Sequence, residues 1–114
     1  MNRTEYACTV VYDDQFDFLT LTRPDVKSSG SVIAGPFVID FYRKELAGIE
    51  IEKATDLLES LFGAPMDLKK IKGARIAVTE KNNILMLYLA FEYENKEFAQ
   101  QIVVPKTNAK PLMA

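Results

Sequence analysis

The chain has no histidine and no tryptophan, and a single cysteine, Cys8, in its 114 residues. The missing imidazole removes the commonest general base and the commonest metal ligand. Serine–histidine and cysteine–histidine nucleophile pairs go with it. A lone thiol closes no internal disulfide, and without histidine it builds no Cys/His zinc site within one chain. One cysteine fits a reducing compartment, so a cytoplasmic location is expected. Cys8 alternates with Tyr6 and Val10 and reads as a small buried hydrophobe, with no imidazole to activate it.

Neither sign of charge predominates. Fourteen basic and sixteen acidic residues leave a formal charge of −2. That balance supplies no basic footprint for a phosphate backbone or an anionic lipid surface, so no nucleic acid and no membrane are expected as partners. The longest apolar run, residues 84–91, is far short of a spanning helix, and Met1 to Glu5 carry no apolar leader core.

What remains is 48% hydrophobic and 26% charged, a composition that supports one packed core. Residues 1–105 are expected as a single domain, with a flexible tail over 106–114. Residues 6–12 alternate as a strand, Asp13-Asp14-Gln15 makes a polar turn, and 16–21 resumes the alternation as the second arm of a hairpin. Arg23-Pro24 ends that strand, and 25–31 reads as a loop. Residues 32–42 read as one strand bent at Gly35-Pro36, and 46–52 as the next, after a charged turn at Arg43-Lys44-Glu45. Gly48 there leaves room for a neighbouring side chain to lie across the backbone.

The period then changes. Ala54, Leu57, Leu58, Leu61 and Phe62 form the stripe of an amphipathic helix, ended by Gly63 and Pro65. A basic connection with Lys69, Lys70 and Lys72 leads to alternating strands at 74–80, 84–91 and 98–104. The turns between them are Lys81-Asn82-Asn83 and Glu94-Asn95-Lys96. The predicted class is α+β: two antiparallel β-meanders of about seven strands (6–62 with the helix, then 74–104), with one amphipathic helix packed on the sheet. Residues 10–21 and 78–89 share a strand–turn–strand pattern, which any two hairpins would share.

Tyr12-Asp13, Asp17, Leu19 and Leu21 form Y-D-x-x-x-D-x-L-x-L, followed by Asp40, the block Gly48-Ile49-Glu50-Ile51, Ala54 and the helix leucines. This set resembles the small prokaryotic domain of unknown function 2283, over about residues 6–62. The resemblance implies a β-meander with a short trailing helix, and it implies no activity, cofactor or site residue.

Candidate functional residues are few. Asp13 and Asp14 read as turn formers and Asp17 as a solvated strand residue, because a calcium loop needs more oxygen donors at set spacings. Asp40 lies between Ile39 and Phe41, and Glu50 between Ile49 and Ile51. Carboxylates in such apolar strands either face water or need a partner, so Asp40 and Glu50 are the candidate pocket residues. Lys69, Lys70, Lys72 and Arg75 read as a solvated connection without an aromatic platform. Residues 84–91 are apolar on both faces, more than one helix covers, so Leu85, Leu87, Leu89 and Phe91 are candidate contacts of a homodimer. The expected function is a non-enzymatic, self-associating interaction or structural module without a cofactor. The alternatives are a small-molecule- or metal-binding enzyme using Asp40 and Glu50 and, with less support, a nucleic-acid-associated protein.

Overall fold

The computed structural model describes residues 4–105 with their side chains and the backbone of Ala109–Leu112. Five strands come first: β1 (Tyr6–Asp13), β2 (Phe18–Thr22), β3 (Gly30–Ala34), β4 (Phe37–Tyr42) and β5 (Glu45–Ile51). Helix α1 (Ala54–Phe62) and a 3-10 turn (Leu68–Lys70) lead to β6 (Ile71–Lys81), β7 (Ile84–Tyr93), β8 (Lys96–Pro105) and β9 (Ala109–Leu112). The fold is therefore mostly antiparallel sheet with one α-helix, and its nine strands run in the order β8-β7-β6-β1-β2-β5-β4-β3-β9.

β1 is where the sheet turns. Its first half, Tyr6 to Cys8, pairs with β6, and its second half, Thr9 to Asp13, pairs with β2. A strand that changes partner part-way lets a sheet fold around a core. Inward side chains from both arms meet in one cluster, including Leu19, Leu21, Ile39 and Ile49 on one side and Ile76, Leu87, Leu89 and Phe91 on the other. Helix α1 adds Ala54 and Leu58 to it, and the Phe62 ring packs edge-on against Phe91 and Phe98.

Arg23 locks the corner. It is 8% exposed, and its guanidinium lies 4.1 Å over the Tyr6 ring. It donates to both carboxylate oxygens of Asp25, to Glu45 and to the Leu46 carbonyl, so the buried charge is paired on every side. Its backbone amide also donates to the Ala47 carbonyl.

Several sequence expectations are corrected. The bend at Gly35-Pro36 is a full turn: Gly35 takes φ 61, and β3 and β4 pair directly around it. The first half is not a simple meander, because β2 lies beside β5 rather than β3. The loop after Arg23 carries the chain past two strand positions, and β3, β4 and β5 then return in reverse order. β2 starts at Phe18, leaving Phe16 71% exposed in the turn, where Asp13 accepts from the amides of Gln15 and Phe16. Part of the expected tail, Ala109–Leu112, forms β9 along β3; the rest of that tail, 106–108 and 113–114, lies outside the described residues.

The largest correction concerns β7. Leu85, Leu87, Leu89 and Phe91 are 7%, 0%, 0% and 0% exposed within their own chain, so a second copy has no access to them. Curvature supplies the cover that a single helix does not, because the facing arm of the same sheet closes over the strand. The outward row of β7 keeps Ile84 exposed, with Met86 and Tyr88 half-buried.

Candidate functional site

Asp40 and Glu50 are brought together. In the register Asp40 stands opposite Gly48 on β5 and opposite Ser31 on β3, whereas Glu50 stands opposite Val38 on β4 and Thr20 on β2. Ile39, Ile49 and Ile51 fill the core, so by strand alternation the two carboxyl side chains share the outer face. They are diagonal neighbours across a glycine, the spacing at which long side chains on adjacent strands touch.

Gly48 makes the contact possible. A Cβ placed there would lie 2.6 Å from the Leu21 carbonyl oxygen and 3.6 Å from Asp40 Oδ2. The backbone of β2 thus occupies the space that a side chain would need, and the Asp40 carboxylate lies beside it at ordinary contact distance. A bulge follows at once, with the register shifting between Asp40 and Phe41. The hydroxyl of Ser31 donates to Asp40 Oδ1 at 2.5 Å, tying β3 to β4 on this face.

The electrostatics follow from that packing. Both carboxyl groups are half-buried. Burial, then the hydrogen bond and charge of Asp40, then the charge of Glu52, push the Glu50 carboxyl up to about 7. Two neighbouring carboxylates cannot both ionise cheaply, so Glu50 keeps its proton toward neutrality. The site is a pair of neighbouring carboxyl groups with a serine hydroxyl on its flank. Among the described residues no group of three or more Cys, Asp or Glu side chains is arranged to hold a metal ion.

The other candidates sort themselves. Asp17 is not a solvated strand residue. It sits at φ 53 in the β1–β2 turn and accepts from the backbone amide and hydroxyl of Thr55 and from the Tyr12 hydroxyl. Its own carbonyl takes the Ala54 amide. Lys53, the residue before α1, caps nothing with its side chain, so Asp17 caps the helix from 38 residues away in sequence. Burial raises the Asp17 pKa, but the hydrogen bonds from Thr55 and Tyr12 outweigh it and leave the carboxyl below its ordinary value.

The basic cluster is dispersed: Lys69 pairs with Asp14, and Arg75 bridges Glu5 and Glu97. Cys8 is buried, and desolvation pushes its thiol up to about 11, against the weaker pull of Arg23, so it stays protonated and unreactive near neutrality. A shallow depression of about 580 Å³ lies on the outer face of the β1–β6–β7 arm, with Ala7, Gly73 and Ala90 among its lining and Arg75, Glu92 and Lys96 at its walls. Asp40 and Glu50 are not part of it.

No helix among the described residues is long and apolar enough to cross a membrane. Comparison with protein-family models, with curated proteins and with solved structures returns no match to this chain.

Proposed function

We propose that the chain is a non-enzymatic interaction module, working in a reducing cytoplasm, that self-associates through the free edge of β8. The observation carrying this reading is the contrast between that edge and the usual protected one. β8 is ten residues long and ends the sheet. From Phe98 to Val104 it carries no charge and no proline, and Val103 is 59% exposed beside the exposed Ile84. Long uncharged edges template pairing with another strand, and monomeric proteins normally blunt them with charge, proline or brevity. The opposite edge is blunted in this way: β9 is four residues long and contains Lys110 and Pro111.

A second copy is the natural occupant, because two antiparallel β8 strands about a two-fold axis present the same surface to each other. Pairing centred on Gln101 sets Val103 of one copy opposite Ala99 of the other, on the same outer face. Light scattering at micromolar concentration should give a dimer for the natural chain and a monomer for the double variant Gln101→Lys, Val103→Lys. A natural chain that stays monomeric throughout overturns the proposal.

A carboxylate-based ligand site is the second reading, supported by the contact between Asp40 and Glu50. Adding millimolar magnesium or calcium and following the amide resonances of β4 and β5 tests it. Unmoved resonances remove the cation form of that reading.

A further inference from the structure

The carboxyl pair lies where a change of charge would act on the sheet itself. Asp40 is held by β3 through Ser31, lies over Gly48 of β5, and touches Glu50 two residues further along that strand. It thereby connects three consecutive strands of one arm on the face opposite the core. Among the residues described with their side chains, the charged groups acting on Glu50 include no cation; Lys110 stands on β9 opposite Ile33, three strands from Glu50. From β4 the neighbours are Val38 and Asp40, from β2 Thr20 and Thr22, from β3 Ser31 and Ile33, and Glu52 follows just after β5. The charged groups acting on Glu50 are Asp40 and Glu52, both acidic.

A second negative charge placed in this contact therefore meets repulsion, with only hydroxyls and partial solvent to relieve it. Separating the carboxylates would require β4 and β5 to shift at the point where the bulge already breaks their register. We propose that Asp40 and Glu50 hold one shared proton in the folded chain, and that losing this proton loosens the β3–β4–β5 arm while the β6–β7–β8 arm stays closed. The device is distinct from the β8 edge, which lies at the far end of the sheet.

Thermodynamic linkage sets the size of the effect. One proton bound more tightly in the closed arm makes the opening equilibrium rise at most tenfold per pH unit. The test combines carbon-detected NMR titration of the Asp40 and Glu50 carboxyls with hydrogen exchange of the amides in β4, β5, β6 and β7 from pH 5 to pH 8. The expected result is a Glu50 midpoint near 7 and a several-fold rise in the opening of β4 and β5, after correction for intrinsic exchange. In β6 and β7 the opening should not change. The same profile should be flat in Glu50→Gln, whose amide can still donate to Asp40, and shallower in Asp40→Asn, where burial and Glu52 still raise Glu50. A natural chain whose Glu50 titrates in the usual carboxylate range overturns the proposal without any variant. So does pH-dependent opening of β4 and β5 that persists in Glu50→Gln.

Discussion

Asp17 and Glu50 are both half-buried carboxyl groups on one arm of the sheet, and their surroundings drive them in opposite directions. Asp17 faces donors: the amide and hydroxyl of Thr55 and the hydroxyl of Tyr12 all point at its oxygens. Those bonds favour the charged form, so its pKa falls despite burial. Glu50 has burial unopposed by donors, and faces another acceptor, Asp40, and a further acid, Glu52, so its pKa rises. Burial has the same sign at both positions, and the neighbours decide the outcome. One carboxylate is a fixed structural anion and the other is a proton holder.

The sharpest way to break this arrangement is Gly48→Ala. The added methyl would meet the Leu21 carbonyl at 2.6 Å, and backbone in the middle of a sheet has little freedom to retreat. Overpacking of this kind destabilises by about 1–3 kcal/mol, and the upper end is expected here. Asp40 Oδ2, 3.6 Å from the new methyl, would stay in ordinary contact. Chemical denaturation should show the loss. A neutral Gly48→Ala would mean that the close approach of β2 and β5 is not a constraint.

Removing the other carboxylate ranks next. Asp17→Ala takes away the remote cap of α1 and the tie between the β1–β2 turn and Thr55. Losing a cap costs about 1–2 kcal/mol. Because Lys53 provides no replacement, the value should sit toward the top of that range, and hydrogen exchange should show the first turn of α1 opening first. Asp17→Asn should recover part of the loss, since the amide oxygen still accepts.

How much of this was legible in the sequence depends on how far apart in the chain the partners lie. Helix α1, the turns at Asn82-Asn83 and Glu94-Asn95, and the β6–β7–β8 meander are local patterns, and periodicity locates them. Asp40 and Glu50 stood out as polar residues inside apolar strands, but their contact needs the β4–β5 register and its bulge, which no periodicity reveals. Ser31 becomes legible once Gly35-Pro36 is a two-residue turn, which places it opposite Asp40 by simple counting. Asp17 is not legible, because its partner Thr55 comes from an element distant in sequence, and neither is the burial of Arg23, which beyond its neighbour Asp25 depends on Glu45 and the Leu46 carbonyl. The inward face of β7 was misassigned for a related reason. Alternation marks Leu85, Leu87, Leu89 and Phe91 as one face, but only the fold of the sheet at β1 shows that the same chain covers it.

The smallest expected effect separates the two carboxyl groups most cleanly, because it appears only as the pH rises. Glu50 has a folded-state value of about 7 against an ordinary value of 4.5, so the folded chain binds the extra proton between those limits. Its contribution to stability is complete below about 4.5 and is lost as the pH rises through about 7. Asp17 runs the other way: its lowered value contributes stability above 3.8, and that contribution disappears as the pH falls through its folded-state value. Glu50→Gln, a neutral mimic of the protonated acid, should therefore leave stability near pH 4.5 close to that of the natural chain. At pH 8 it should raise stability by on the order of 1 kcal/mol, allowing for solvent screening at a half-buried site. Denaturation curves across that range measure the difference directly. Equal stabilities of the two chains at pH 8 would place Glu50 with the solvated acids and leave Asp17 as the one perturbed carboxylate of the pair.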